Sequence, residues 1–371
     1  SGAVMDLSET RLNDVLHVAF NQDQSCFAVG LENGFRIYNA DPCSLTKQRD
    51  FGEGGIGLIG MLFRSNILAL VGGGKNPRFP NHKVMLWDDR LERVIAEISL
   101  VSKVKGVLLR AEILTVILER KVLVYRFCDV TLLDSFELEE PNARGLGAMS
   151  VADGPVTIAF PSGKTSLSVV TYKPALDNVE ANLDASCRES SQEVAVESCS
   201  ALGMSSDGSM VAVANSGGTV VKVFDSASGT MLHECRRGAD RAIISSINFH
   251  RSGRVMAVAS NHGTVHVFGM RKAGDQSPTA EDWVDASNRK SSMKFLSGLP
   301  KAGKYFGSEW SFATFRVPAS RCIAGFGQEP NTVVVLCGDG SYHKARHDPE
   351  EGKDMQAVEF ASFDQNAVAN A

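Results

Sequence analysis

The chain lacks the features that mark membrane-spanning, secreted and nucleic-acid-binding proteins. None of the apolar stretches in its 371 residues approaches the length of a membrane helix, because charged residues interrupt every candidate. Residues 1–10 have neither the basic region nor the apolar core of a secretory signal. The formal net charge of −5 is untypical of a protein with a broad basic face, so we expect attraction to an anionic partner to be local. We expect a cytoplasmic protein that does not bind nucleic acid.

Metal-binding and disulfide patterns are also missing. The eight cysteines form no C-x-x-C motif and no tight cluster with histidine. Cys26, Cys199, Cys322 and Cys337 instead stand in apolar runs that resemble strands. We therefore predict buried free thiols, without a metal site or a cofactor.

Motifs of known enzyme classes are scarce. No G-x-S-x-G or H-E-x-x-H motif occurs, and no pair of acids stands in a recognisable hydrolase setting. Residues 162–165, with the sequence SGKT, resemble the end of a phosphate-binding loop, but Ile158 occupies the position of its first glycine. We interpret them as a hairpin turn. The chain is expected not to be an enzyme, and an unrecognised hydrolase is the least favoured alternative.

Self-similarity is the most informative feature that is present. Each repeated unit has a short apolar strand, a polar turn, a second apolar strand, a glycine-containing turn in most units, and a third strand. The units cover residues 15–39, 60–88, 105–127, 145–172, 201–225, 243–269 and 323–346. Their spacing of roughly 40 to 50 residues, with one longer gap, is typical of propeller blades.

The pattern predicts an all-β, seven-bladed, WD-repeat-like β-propeller that forms a single domain over residues 1–371. Asn33-Gly34, Gly217-Gly218 and His262-Gly263 stand at the same place in their units, where a tight hairpin requires positive φ. Trp87-Asp88 matches the dipeptide that often ends the third strand of such blades. Two segments do not fit the repeat: residues 174–198, interpreted as a surface loop, and a long loop at about 271–308.

Two adjacent arginines, Arg236 and Arg237, lie between the two clearest units. A solvated charged turn is the simpler interpretation of such a dipeptide. If the segment is extended, however, the two side chains point to opposite sides and serve two separate pockets. A guanidinium group can also bind phosphate through two parallel hydrogen bonds.

The flanking units supply polar side chains that suit a phosphorylated inositol ring. A bound phosphate would raise the pKa of His266 and favour its charged form near neutral pH, whereas an ordinary exposed strand residue is the alternative. The polar residues before and after the two arginines are Asn215, Thr219, Lys222, Ser260, Thr264 and His266.

The segments GTVVKVFD, CRRGADRA, SSINF and ASNHGTVHVF occur in this order, and together with FNQDQSCFAVG and KYFGSEWSFATFRVP they resemble the PROPPIN family. PROPPINs are phosphoinositide-binding autophagy propellers, related to the WIPI proteins and marked by an F/L-R-R-G motif. The resemblance covers roughly residues 15–344. The chain departs from the family pattern at Cys235, where an aromatic residue or leucine is usual, at Asn215 in place of serine, and at Lys222 in place of arginine.

The resemblance implies two sites for the headgroups of phosphatidylinositol 3-phosphate and phosphatidylinositol 3,5-bisphosphate. By position, the first site would consist of Asn215, Thr219, Lys222 and Arg236. The second site would consist of Arg237, Ser260, Thr264 and His266.

The long loop has the composition of a membrane anchor. Residues 289–304 contain five basic residues and no acidic ones, alongside Phe295, Leu296 and Leu299. Basic residues beside apolar ones suit an anionic bilayer surface, so we favour membrane insertion of these three side chains over their packing against the propeller. The resemblance agrees, since PROPPINs insert a loop at this place.

The arginines and the loop predict a peripheral membrane protein, expected to be a monomer, and the resemblance implies an effector of autophagy on autophagosome-precursor and endosomal or vacuolar membranes. The resemblance implies the lipid-transfer protein of the autophagy pathway as a partner, with residues 21–23 and 76–82 as candidate contacts. A protein–protein interaction scaffold without lipid specificity, whose arginines bind an acidic peptide, is the alternative.

Overall fold

Seven antiparallel sheets, arranged as the blades of a propeller, make up the computed structural model of the chain. It describes residues 4–6, 14–173, 188–271, 288–290, 308–348 and 352–363. Within these residues every regular element is a strand and none is a helix. The predicted all-β, seven-bladed propeller is confirmed.

Each of the first four blades is built from four strands that follow one another in the sequence. An additional short strand, β1 (Val4–Asp6), pairs with the first strand of blade 1. The strands of blade 1 are β2 (Val15–Phe20), β3 (Cys26–Leu31), β4 (Gly34–Ala40) and β5 (Cys43–Asp50). Those of blade 2 are β6 (Ile56–Met61), β7 (Ile67–Gly72), β8 (Lys83–Asp88) and β9 (Arg93–Ser99). Those of blade 3 are β10 (Val104–Leu109), β11 (Ile113–Leu118), β12 (Lys121–Arg126) and β13 (Leu132–Glu137). Those of blade 4 are β14 (Ala148–Met149), β15 (Val156–Pro161), β16 (Ser166–Tyr172) and β17 (Arg188–Ala195).

The long insertion lies between the third and fourth strands of blade 6, and its described residues add two short strands to the edge of blade 5. The strands of blade 5 are β18 (Ala201–Met204), β19 (Met210–Ala214), β20 (Val220–Asp225) and β21 (Met231–Arg236). Those of blade 6 are β22 (Ile244–Phe249), β23 (Val255–Ser260), β24 (Thr264–Gly269) and β27 (Ala313–Arg316). The added strands are β25 (Arg289–Lys290) and β26 (Glu309–Trp310). Blade 7 consists of β28 (Cys322–Phe326), β29 (Thr332–Cys337), β30 (Ser341–Arg346) and β31 (Gln356–Ser362).

Each predicted unit corresponds to the first three strands of a blade, and the fourth strands were not recognised. Fourth strands lie at the outer rim, so their sequences carry little apolar signal: β17 reads RESSQEVA and is largely exposed. The interpretation of residues 174–198 as a surface loop is therefore wrong for Arg188–Ala195, which pairs with β16 along its length. The rest of that segment up to residue 187 lies outside the described residues.

Apolar side chains between neighbouring blades form the core. In β20, Val221 and Val223 pack toward blade 6, whereas Phe224 packs toward blade 4. Alternation along this strand therefore places Lys222 on the face of blade 5 that is directed to blade 4. Three of the four thiols predicted to be buried, those of Cys26, Cys322 and Cys337, are buried and free, and the free thiol of Cys199 is partly buried.

Within the described residues, blades 7 and 1 are connected by side-chain contacts rather than by a shared strand. The Tyr342 hydroxyl donates to the carbonyl oxygen of Ala40 over 2.8 Å. The Lys344 ammonium lies 2.7 Å from a carboxylate oxygen of Asp41, and both side chains are at least 95% buried. A buried charge pair needs this close geometry to offset its desolvation.

The alternating strand direction gives the propeller two distinct faces. Turns between second and third strands, and links from a fourth strand to the next blade, lie on one side, which we call the upper face. Residues 162–165 form such a turn between β15 and β16, as predicted. Turns between first and second strands, together with the start of the long insertion after β24, lie on the lower face.

Candidate functional site

The two arginines stand where the outer strand of blade 5 ends at the upper face. Arg236 is the last residue of β21 and is paired with Val220. The backbone N–H of Arg237 still donates to the carbonyl oxygen of Thr219 over 2.9 Å, so the chain stays extended. Side chains therefore alternate here, as the sequence predicted, and Arg236 shares the blade-4-directed face of Lys222. Both arginines are more than 90% buried.

Neutral acceptors hold the Arg237 guanidinium. Its Nε donates to the carbonyl oxygen of Gly218 over 3.0 Å, and a terminal nitrogen donates to the carbonyl oxygen of Asp240. Burial lowers the pKa of Arg237, and the nearby Asp240 carboxylate partly offsets this effect. No carboxylate in the described part of the chain forms an ion pair with it. The two carbonyl groups therefore orient the guanidinium without neutralising its positive charge.

Gly218 shapes the turn that supplies one of these carbonyls. Its φ of 61° lies in the left-handed region that side chains disfavour. A Cβ atom at this position would stand only 1.8 Å from the carbonyl oxygen of Ala242. The predicted glycine requirement of this turn is therefore both conformational and steric.

Two residues of the predicted first site, Asn215 and Lys222, line a shallow depression between blades 4 and 5. The lining residues are Val196, Glu197, Ser198, Val213, Asn215, Val220, Lys222 and Phe224. Thr219, which directly precedes β20, and Arg236, the last residue of β21, are not among them. The structure thus brings together part of the predicted set and adds a residue that sequence reasoning missed.

That missed residue is Glu197, which follows the outer strand of blade 4. Its carboxylate lies 2.8 Å from the Lys222 ammonium, with 64% and 28% of the two side chains exposed. The amide oxygen of Asn215 accepts a hydrogen bond from the backbone of Gly218 over 3.0 Å. The Lys222 ammonium, the basic group of this depression, is therefore already paired with the Glu197 carboxylate.

Residues of the predicted second site cluster on blade 6. Ser260 is fully buried and its hydroxyl donates to the carbonyl oxygen of Thr264 over 3.4 Å. His266 Nδ1 lies 3.1 Å from the hydroxyl oxygen of Ser311. Burial, followed by the positive charges of Arg237 and Lys353, lowers the pKa of His266 to about 3. Arg237 thus acts on His266 across the blade boundary, and without ligand this imidazole is neutral at pH 7.

The end of the long insertion is fixed against blade 5 beside the arginines. In β26, Trp310 is paired in parallel with Arg236. His233 Nδ1 lies 3.0 Å from a carboxylate oxygen of Glu309, and Nε2 lies 2.8 Å from the carbonyl oxygen of Arg271. Burial opposes the charged imidazole, but these two acceptors outweigh it and raise the pKa of His233. Through β26, Trp310 extends the sheet of blade 5.

Sequence comparison decides the family. The sequence model of the PROPPIN family matches residues 15–358. The chain belongs to the PROPPIN family. Its relatives include SVP1-like protein 2 of Pichia angusta, which is 35% identical over 89% of this chain and 90% of its own length. Autophagy-related protein 18e of Arabidopsis thaliana is 31% identical over 94% of this PROPPIN and 88% of its own length.

Solved structures agree with the fold. Hsv2 of Kluyveromyces lactis with its complete loop 6CD superimposes with a TM-score of 0.68 at 22% identity, covering 98% of this chain and 99% of its own. A complex of KlAtg21 with the coiled-coil of AgAtg16 gives a TM-score of 0.65 at 19% identity, covering 93% of this chain and 98% of that chain. The autophagy-related propeller predicted from the sequence is confirmed, and PROPPINs are binding proteins rather than enzymes.

The remaining predicted contacts of this PROPPIN have mixed outcomes. Phe295, Leu296 and Leu299 lie outside the described residues. Residues 21–23 form a turn of the lower face and residues 76–82 a turn of the upper face, so they do not share one side. Asn21 is also buried, with its amide donating to Ser25 and to the carbonyl of Phe63.

The described residues contain neither a metal-binding cluster nor a membrane-spanning helix. Among the described residues, no group of three or more histidine, cysteine, aspartate or glutamate side chains is arranged to hold a metal ion. The same residues contain no helix long and apolar enough to cross a membrane.

Proposed function

We propose that this PROPPIN is a peripheral membrane effector of autophagy that binds phosphatidylinositol 3-phosphate and phosphatidylinositol 3,5-bisphosphate through two headgroup sites. The observation that carries the proposal is the Arg237 guanidinium, which is held by two neutral carbonyls beside His266. A buried cation without a carboxylate partner is costly, and an anionic ligand would offset that cost.

The two sites lie on the two sides of the outer strand of blade 5. Asn215, Thr219, Lys222 and Arg236 form the first, and Arg237, Ser260, Thr264 and His266 form the second. Phosphate binding at the second site would bring a negative charge close to His266, opposing the lowering of its pKa by Arg237 and Lys353. Headgroup binding would then be accompanied by proton uptake at this imidazole.

Membrane contact by the long insertion adds to headgroup binding. Its end is fixed to β21 by the pairing of Trp310 with Arg236. Phe295, Leu296 and Leu299 would enter the same bilayer that presents the headgroups. Since one bound element raises the effective concentration of the others, linked weak sites increase affinity by about 10²-fold or more. The protein would reside in the cytoplasm and on autophagosome-precursor, endosomal or vacuolar membranes.

Recruitment of an autophagy protein is the second part of this function. The relative KlAtg21 forms a complex with the coiled-coil of AgAtg16, which supports an autophagy protein as partner of this propeller. The lipid-transfer protein of the pathway is the partner that the family resemblance implied. The upper-face turn at residues 76–82 is the candidate contact, since Asn21 is committed to internal hydrogen bonds.

Vesicle flotation tests the lipid-binding proposal. We expect Arg236→Thr with Arg237→Thr to abolish flotation with vesicles that contain either lipid, while the melting temperature stays within a few degrees of wild type. Arg90→Thr with Arg93→Thr removes two exposed arginines from blade 2 and should float like wild type. Equal flotation of the Arg236/Arg237 variant and wild type would refute the proposal.

A scaffold that binds an acidic peptide is the second candidate. The Lys222–Glu197 contact favours it, because the first site already accommodates a carboxylate at 2.8 Å. Wild-type protein that fails to float with either lipid, yet still binds its protein partner, would support the scaffold instead.

A further inference from the structure

Blades 5 and 6 share one backbone register at the ends of their outer strands. In blade 5, Val220 is paired with Arg236, and the next N–H donates to the carbonyl oxygen of Thr219. In blade 6, Thr264 is paired with Arg316, and the N–H of Val317 donates to the carbonyl oxygen of Gly263 over 2.8 Å. Arg316 therefore occupies on blade 6 the position that Arg236 occupies on blade 5.

Arg316 also lies on the face that carries the second site. Residues paired across neighbouring strands project to the same face of a sheet. The pairs Thr264–Arg316 and His266–Thr314 thus place the Arg316 side chain on the His266 face. Arg236 is buried beside β26, whereas Arg316 is exposed and forms no ion pair within the described residues.

Blade 7 contributes a further cation through Lys353. The segment that precedes β31 runs alongside β27. The Thr314 N–H donates to the carbonyl oxygen of Lys353 over 2.6 Å, and the Met355 N–H donates to the carbonyl oxygen of Thr314 over 2.8 Å. Asp354, the acid between them, accepts a hydrogen bond from the Thr314 hydroxyl over 2.9 Å. Lys353 is exposed, and its charge acts on His266 in the same direction as that of Arg237.

The negative charge of a bisphosphorylated headgroup requires more than one cation in the second site. A phosphate monoester carries about −1.5 to −2 charges near pH 7, so an inositol ring with two of them brings about −3 to −4. Within the second site proposed above, Arg237 is the only full cation at that pH, because His266 is neutral without ligand. One cation can pair with a single phosphate group, whereas binding of a second phosphate group needs additional cations.

We infer that Arg316 and Lys353 form a subsite beside His266 that binds the second phosphate of a bisphosphorylated inositol headgroup. The inference rests on the proposed lipid-binding function. The headgroup would then be held by three blades: Arg237 from blade 5, His266 and Arg316 from blade 6, and Lys353 from blade 7.

The test compares lipids that differ by one phosphate. Wild type and Arg316→Gln/Lys353→Gln are floated with vesicles containing phosphatidylinositol 3-phosphate or 3,5-bisphosphate, with phosphatidylserine added to equalise surface charge. Titration with soluble inositol 1,3-bisphosphate and inositol 1,3,5-trisphosphate separates headgroup recognition from attraction to the membrane surface. Arg93→Gln/Lys103→Gln, which removes an exposed arginine and an exposed lysine on the far side of the ring, is the matched control.

We expect the Arg316/Lys353 variant to lose about tenfold or more in affinity for the 3,5-bisphosphate lipid and the trisphosphate, as removal of charge-assisted hydrogen bonds predicts. Its affinity for the 3-phosphate lipid should stay within about twofold of wild type, since Arg237 is intact. Equal losses for both lipids, or no loss for either, would overturn the subsite. If wild type binds neither lipid, the proposed function itself fails.

Discussion

Blades 5 and 6 have the same backbone geometry, but the basic side chains at corresponding positions have different charged neighbours. On blade 5, the Lys222 ammonium is neutralised by Glu197 at 2.8 Å. On blade 6, Arg237 and Lys353 both act on His266 and help to hold its pKa at about 3. The repeated fold therefore fixes where basic groups stand, whereas residues from the neighbouring blade decide whether their charge is available. This difference leads us to expect that the second site provides most of the headgroup affinity.

The single arginine variants test the comparison most strongly. Arg237→Gln should weaken vesicle binding by about 10- to 100-fold, the loss expected for charge-assisted hydrogen bonds to phosphate. Arg236→Gln should weaken it less, because its site already contains a competing carboxylate. Quantitative flotation over a range of lipid concentrations measures both, with melting temperatures as the control for folding. An equal or larger loss in Arg236→Gln would show that the sites are not ranked in this way.

Gly218→Ala tests whether the turn of blade 5 orients Arg237. The φ of 61° and the close approach to the carbonyl of Ala242 should cost about 1 to 3 kcal/mol in the free energy of unfolding. Because the carbonyl of Gly218 accepts from Arg237 Nε, lipid binding should weaken as well. Urea unfolding and flotation provide the two measurements.

The neighbouring glycine supplies the control for this turn. A Cβ atom at Gly217 would have only an ordinary contact of 3.5 Å with the side-chain oxygen of Asn215. Gly217→Ala should therefore keep both stability and binding. If Gly218→Ala and Gly217→Ala behaved alike, the orientation of Arg237 would not depend on the geometry of this turn.

His266→Gln tests the electrostatics of blade 6. The folded-state pKa of about 3 lies below the ordinary value of 6.5, so the unfolded chain binds the proton first as pH falls. Wild type should lose stability from this group below pH 6.5, by about 1 kcal/mol at pH 5.5. The glutamine variant lacks this contribution, so the unfolding free energies of the two proteins should converge or cross on acidification. Parallel curves between pH 7.5 and pH 5 would contradict the assignment.

Glu197→Gln tests the neutralised state of blade 5 and should have the smallest effect. Removing an exposed ion-pair partner changes energies by about 0.2 to 1 kcal/mol, so vesicle affinity should rise up to about fivefold. Glu97→Gln removes a similar carboxylate, 2.9 Å from Lys83 on blade 2, and should leave affinity unchanged. If both variants gain equally, overall charge rather than the first site is responsible.

Sequence patterns predicted the inner part of every blade but not its rim. First, second and third strands such as Ala201–Met204, Met210–Ala214 and Val220–Asp225 are buried between blades, so they need apolar residues that make the repeat visible. Fourth strands such as Arg188–Ala195 have an open outer edge and tolerate polar residues. Their pairing depends on the strand already in place, which a local pattern does not reveal.

The candidate sites divide in a similar way. Arg236, Arg237 and the polar residues of the adjacent turns were found because they lie within one stretch of about 50 residues. Glu197, Ser311, Arg316 and Lys353 were missed, since they come from other strands or blades and nothing in the local sequence marks them as neighbours of the predicted sites. His266 illustrates the consequence, because its neutral state without ligand depends on burial and on two cations from neighbouring blades.

By itself, the sequence determined the repeat, the glycine turns and the adjacent arginines, because these follow from residue type and spacing along the chain. Only the tertiary structure decided which charges meet: Lys222 with Glu197, and His266 with Arg237 and Lys353. The physical reason is that Coulomb interactions and desolvation depend on distance and burial in space. In a closed ring of blades, the nearest charged neighbour is often supplied by the next repeat.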